Sequence, residues 1–210
     1  MMSALLIKDF KFNIRYILIS LLVVVSGFVL FCIDGGESSY LFSITLLPIL
    51  MFGFDIGKLC YMDDKDKALT YLESLPFRKK DFIISKFIEG LIVGIVSILI
   101  ILIENLILKN IFNIGFDISV NNIIYSLTFI IFYMGMFFIL YYKYNYQLAN
   151  QLILFAYIGV LFIIKYLGEL VPNILEIFQK QYSSIIALII SLVIYYILYR
   201  ISCYLYENKR

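Results

Sequence analysis

The chain contains no histidine, and its cysteines, Cys32, Cys60 and Cys203, stand far apart with no Cys-x-x-Cys spacing. Imidazole general-base chemistry and a zinc site of nitrogen and sulfur donors are therefore excluded from any sequence-based expectation. A phosphate-binding loop needs Gly-x-x-x-x-Gly-Lys-Ser/Thr, so that successive backbone amides cradle the phosphates. The nearest approach is Gly53-Phe-Asp-Ile-Gly57-Lys58-Leu59, one residue short, without the hydroxyl, and set in an apolar run. This chain is not expected to hydrolyse nucleotide by itself. What remains is a small set of charged groups in greasy surroundings: Asp55, Lys58, Glu89 and Glu104, the last followed by Asn105. A charge at mid-bilayer costs about 2.5–3.5 kcal/mol on insertion scales, so such groups pair or face a cavity. Asp55, Lys58 and Glu89 are shallow enough to pair with one another or to reach the interface. Glu104 either lines an outward cavity or reaches the outer interface. No set of catalytic side chains is expected to converge at one depth, which argues against an intramembrane enzyme.

The elements that hold these groups follow from composition. Hydrophobic residues make up 63% of the chain and charged residues 15%, with a mean hydropathy of +0.97. Soluble domains carry roughly 45–50% apolar and about 25% charged residues, so the chain reads as an all-α integral membrane protein. The opening residues show no small-residue cleavage site after the first apolar run, and no signal peptide is expected. A span needs roughly 20 apolar residues, and six stretches meet this: about 16–33, 40–59, 87–108, 123–142, 151–167 and 183–203. They form one domain over residues 1–210, since every loop is too short to fold alone. Before the first span, Leu6 and Phe10 recur at helical spacing among Lys8, Lys11 and Arg15, which predicts an amphipathic elbow helix over 3–15 in the headgroup layer. A plain extension of the first span is the simpler alternative.

Lysine and arginine fix the orientation. Fourteen fall on one side: Lys8, Lys11, Arg15, Lys58, Lys65, Lys67, Arg78, Lys79, Lys80, Lys86, Lys143, Arg200, Lys209 and Arg210. Three fall on the other: Lys109, Lys165 and Lys180. Both termini and the run 62–86 are thus expected in the cytoplasm. Gly53/Gly57 and Gly90/Gly94 are small-xxx-small pairs that let helices approach closely; packing within the subunit is the simpler role and a dimer interface the sharper one. Two tyrosine clusters, Tyr133, Tyr141, Tyr142, Tyr144, Tyr146 and Tyr195, Tyr196, Tyr199, Tyr204, Tyr206, read as an interfacial aromatic belt.

The charge-rich run 62–86 organises the rest. Asp63, Asp64 and Asp66 suit the N-terminus of a helix through its macrodipole, and Leu69, Leu72 and Leu75 mark one face of that helix before Pro76 breaks it. Arg78, Lys79 and Lys80 precede the third span. Such a segment is either a solvated loop or a peg for a soluble partner.

Tyr71-Leu72-Glu73-Ser74-Leu75-Pro76, the basic cluster behind it and Lys86-Phe87 resemble the permease subunits of type-two ABC exporters, as does the opening Leu6-Ile7-Lys8-Asp9-Phe10. The resemblance is strongest to small six-span peptide-exporter permeases of low-GC Gram-positive bacteria, such as the exporter of phenol-soluble modulins. One departure is Phe87, where that family often has tyrosine. The resemblance implies a non-catalytic subunit that pairs with a second permease, a copy or a paralogue, above two cytoplasmic ATPases that bind ATP and magnesium. It implies a coupling helix from Asp64 to Leu75, with Asp64, Lys65, Lys67, Leu69, Leu72, Glu73, Leu75, Pro76 and Arg78 at the ATPase. It implies hydrophobic or amphipathic cargo, peptides among them, leaving the cytoplasm or inner leaflet. No nucleic-acid partner is implied. A non-transporting anchor, sensor or immunity subunit is the alternative. A secondary transporter comes last, because neither facing mid-depth charges nor an inverted repeat is evident.

Overall fold

The computed structural model describes residues 2–34, 47–65, 79–113, 119–156, 159 and 181–208, and all regular structure among them is helical. Helix α1 is Met2–Asp34. Helix α2 covers 47–65 and comprises a stretch 47–52, a π turn Gly53–Gly57 and the helix Lys58–Lys65. Helices α3 (Lys79–Phe112) and α4 (Val120–Lys143) follow, then α5 over 146–156 and α6 (Gln181–Glu207).

The amphipathic residues 3–15 do not form a helix of their own. They are the first turns of α1, which runs unbroken for 33 residues, about 50 Å. No glycine or proline precedes Gly27 in α1, so nothing interrupts its hydrogen-bond ladder. Helix α3 is equally long and extends eight residues before the expected start of its span. It ends at Asn113, whose φ of 54° is a left-handed stop that asparagine tolerates. Ser119 caps α4, its hydroxyl accepting the Asn122 amide at 3.2 Å. The turn from α4 into α5 is tight: Tyr144 and Asn145 alone lie outside helix, and Asn145 Oδ1 accepts the Leu148 amide at 2.9 Å.

Three of these helices have the length and composition to cross a membrane: Lys80–Phe112, Val120–Lys143 and Ser183–Glu207. Ile14–Leu30 is a shorter apolar helix. The first part of the expected second span, residues 40–46, and most of the fifth, residues 157, 158 and 160–167, lie outside the described residues.

Contacts set the directions. Helices α1 and α2 run antiparallel, with the Ser20 hydroxyl donating to Asp55 at 3.0 Å and Leu47 packed over Gly27. Helices α3 and α4 are also antiparallel: Gly90 meets Phe138, while Gly94 meets Met134 and Ile130. Helix α6 lies parallel to α4, joined by Ser184 to Asn121 at 2.9 Å, Leu198 against Gly135, and Tyr206 on Tyr142. Leu18, Leu22, Ile103, Leu106, Ile186 and Ile189 point outward and are exposed. In a bilayer these faces meet acyl chains rather than water.

Candidate functional site

Residues from both sides of the segment 66–78 meet at one side chain. Lys86, in the second turn of α3, is buried, and its ammonium lies 2.9 Å from Asp9 Oδ2, 3.3 Å from Asp63 Oδ2 and 4.0 Å from Glu89 Oε2. Asp9 belongs to α1, Asp63 to the last turns of α2, and Glu89 to α3 one turn beyond the lysine. Charges are taken out of water only at a penalty of several kcal/mol each, which geometry and pairing must offset. Here one ammonium serves three carboxylates. Burial pushes the Asp63 carboxyl above the usual range, and the neighbouring Lys86 opposes that rise. The three carboxylates converge around this cation; among the described residues Asp63 Oδ2 and Glu89 Oε2 have no hydrogen-bond partner, so their tie to Lys86 is ionic. No group of three or more His, Cys, Asp or Glu among the described residues is placed to hold a metal ion.

The surroundings tie this node to the other helices. Asp64 Oδ2 accepts the Tyr146 amide at 2.7 Å, and the rings of Tyr61 and Tyr146 meet edge to face, joining α2 to the start of α5. Lys80 pairs with Glu207 at 3.4 Å, and Phe82 lies beside Tyr206, joining α3 to the end of α6. One turn deeper, Phe87 packs against Phe138, Tyr195 and Tyr199. The Tyr195 hydroxyl donates to the Phe87 carbonyl at 2.8 Å. A tyrosine at 87 would need a partner for its own hydroxyl in this buried cluster; phenylalanine does not.

Several expectations change at this point. Asp63 and Asp64 do not start a helix; they lie in helix Lys58–Lys65, which continues α2 past the expected end of its span. The macrodipole argument fails there, and the aspartates are compensated by Lys86 and by the Tyr146 amide. Asp55, Lys58 and Glu89 do not pair with one another: Asp55 accepts from Ser20, Glu89 faces Lys86, and Lys58 sits over the rings of Tyr16 and Tyr61. The tyrosines are not one belt. Tyr144, Tyr196 and Tyr204 are exposed, but Tyr133, Tyr141, Tyr142, Tyr195 and Tyr206 are core residues. Glu104 is buried, and among the described residues neither of its carboxylate oxygens has a hydrogen-bond partner.

Other expected site residues fall where the chain places them. Phe10 is half-buried and Arg15 exposed on α1, which also contains Leu6. Gly90 and Gly94 pack against α4, and Gly57 against Tyr146, whereas a Cβ on Gly53 would meet nothing within 4 Å. Asp64 and Lys65 close the described part of α2; Lys67, Leu69, Leu72, Glu73, Leu75, Pro76 and Arg78 lie outside the described residues. The sequence reading missed Asp9, Asp63 and Lys86 as a unit. A signal was present: a lysine and a glutamate three residues apart inside the apolar frame Ile83-Ile84-Ser85-Lys86-Phe87-Ile88-Glu89.

Residues 4–207 match the family model described as ABC-2 family transporter protein. No curated protein and no solved structure matches the chain.

Proposed function

The chain belongs to the ABC-2 transporter family, as a membrane-embedded subunit of an ABC transporter, and from that premise we propose that it is the permease of an ATP-driven exporter. Its cargo is hydrophobic or amphipathic, with peptides the leading class. Two six-span permeases, copies or paralogues, pair in the membrane with both termini in the cytoplasm. Two separate ATPases dock beneath them and supply the ATP and magnesium chemistry that this chain lacks. The segment Asp64–Leu75 seats in a groove of the ATPase, with Leu69, Leu72 and Leu75 as its apolar anchors.

The observation that carries this reading is the Lys86 node. A push on the segment 66–78 reaches the chain at its two ends, residues 63–65 and 79–86. Those ends are bonded to each other through Asp63 and Lys86, and to α1 through Asp9. They are also bonded to α5 through Tyr146 and to α6 through Glu207. Closure of the ATPases on ATP then moves α1, α2 and α3 as one body, the amphipathic start of α1 sliding in the inner leaflet. An interface that rearranges between packed states converts such a displacement into a change of cavity shape.

The test is direct. In the permease–ATPase complex, Leu69→Asp and Leu72→Asp are expected to abolish permease-dependent stimulation of ATP hydrolysis while the chain still inserts and folds. Unchanged stimulation in both variants would remove the segment from the coupling path.

A further inference from the structure

A second lysine at the same end of the molecule stands apart from the node. A groove of about 620 Å³ opens between α1, α2, α4 and α5, and among the described residues that line it Lys58 alone is charged. Its ammonium stands 5.3 Å from the Tyr16 ring centre and 4.8 Å from that of Tyr61. No carboxylate among the described residues reaches it within ion-pair distance. The nearest candidates in sequence are engaged elsewhere, Asp55 by Ser20, Asp63 by Lys86 and Asp64 by the Tyr146 amide.

Polarity changes along the groove. Lys58, Tyr61, Tyr146 and Asn150 line the end nearest the node, while Ile19, Ile49, Leu50 and Leu154 line the deeper part. Leu154 is eight residues beyond Tyr146 and Ile49 nine residues before Lys58, so the groove runs about 12 Å from its mouth to its apolar end. Gly53 keeps the wall open, because no described residue lies within 4 Å of where its Cβ would stand. The two-residue turn between α4 and α5 holds Tyr146 and Asn150 against α2, and the π turn Gly53–Gly57 delivers Lys58 to the mouth.

We propose that this groove binds one anionic phospholipid, its phosphate on Lys58 and its acyl chain along Ile19, Leu50 and Leu154. The ammonium supplies the missing opposite charge, and the tyrosine hydroxyls at the mouth supply donors for the phosphate oxygens. Basic pockets between spans on the cytoplasmic side suit such headgroups. A soluble anion leaves the apolar floor unused, and a cationic amphiphile meets Lys58 as a like charge. The inference rests on the membrane reading and the proposed orientation, and is independent of cargo and of the ATPase.

The test uses the full chain with any subunit that accompanies it, passed through nanodiscs of phosphatidylcholine containing a minor share of phosphatidylglycerol. Retained lipid is then counted by native mass spectrometry. The wild type is expected to keep one phosphatidylglycerol per chain. Lys58→Gln should lower that occupancy about fivefold, and Gly53→Phe, which fills the groove without touching the charge, should lower it at least as much. Lys143→Gln should keep it, because Lys143 is exposed at the same end over Tyr144 and does not line the groove. The variants are compared as monodisperse, helical protein, and Gly53→Phe carries the test if Lys58→Gln fails to fold. Full retention in Lys58→Gln or Gly53→Phe overturns the proposal. Equal loss in Lys143→Gln overturns it by showing general surface charge, as does equal retention of phosphatidylcholine. A peptide or fatty acid found in place of phospholipid overturns it in favour of a cargo site.

Discussion

Lys86 and Lys58 are two lysines at one end of the same helical bundle, and they have opposite surroundings. Lys86 is enclosed by three carboxylates from three helix segments; Lys58 has two aromatic rings and an open groove. Both begin as a positive charge beside an apolar run. The difference is supplied by the partners that tertiary packing brings. Where carboxylates arrive, the cation becomes a fastener for the helices. Where the nearest groups are the rings of Tyr16 and Tyr61, it faces a groove instead.

Substitutions can break or sharpen this contrast. The largest effect is expected from Lys86→Met, which strands buried carboxylates; breaking a buried pair in this way costs about 3–5 kcal/mol. Lys58→Met, losing only cation–ring contacts, should cost under about 1 kcal/mol. Reversible unfolding in mild detergent, followed by circular dichroism, measures both, and equal losses would erase the distinction. The steric counterpart comes next. Gly94→Leu drives a side chain into Met134, whose Cε lies 2.9 Å from the Cβ position, and overpacking of this kind costs about 1–3 kcal/mol. Gly53→Leu points into the groove and should leave stability unchanged in the same assay.

Within the node, the order of loss should follow the distances. Asp9→Asn, removing the partner at 2.9 Å, should cost about 1–2 kcal/mol. Glu89→Gln, at 4.0 Å and with two other carboxylates still serving the lysine, should cost under about 1 kcal/mol. A reversed order would mean that Glu89, not Asp9, is the chief counter-charge.

Much of the helical framework is legible in the sequence. The runs 123–142 and 183–203 were marked by length and hydropathy, and their helices extend only a few residues further, Val120–Lys143 and Gln181–Glu207. Hydropathy reports where lipid can be, not where a helix stops, so it could not separate the start of α1 from its apolar body or end α2 at Leu59. Both helices continue through charged residues because nothing there breaks the backbone. Tyrosine was misjudged for a related reason. An aromatic ring with a hydroxyl suits the interface, but Tyr195 finds the Phe87 carbonyl and can be buried. The node was the least legible feature. Asp9 and Lys86 are 77 residues apart, and no local rule brings them together. Lys86 was one basic residue among many that obey the positive-inside rule, and only the packing of α1 against α3 singles it out.

In the proposed function, Lys86 and Asp63 join the two sides of the segment 66–78 into one body with the spans. A charge-swap cycle in the reconstituted permease–ATPase complex tests it most directly, with recovery of folded complex and permease-dependent ATP hydrolysis read on the same samples. Lys86→Asp alone is expected to lose both. Combined with Asp63→Lys, which restores an opposite pair at the same place, it should regain more than half of the lost stimulation. A double variant no better than Lys86→Asp, or a single variant that keeps full stimulation, would contradict the account.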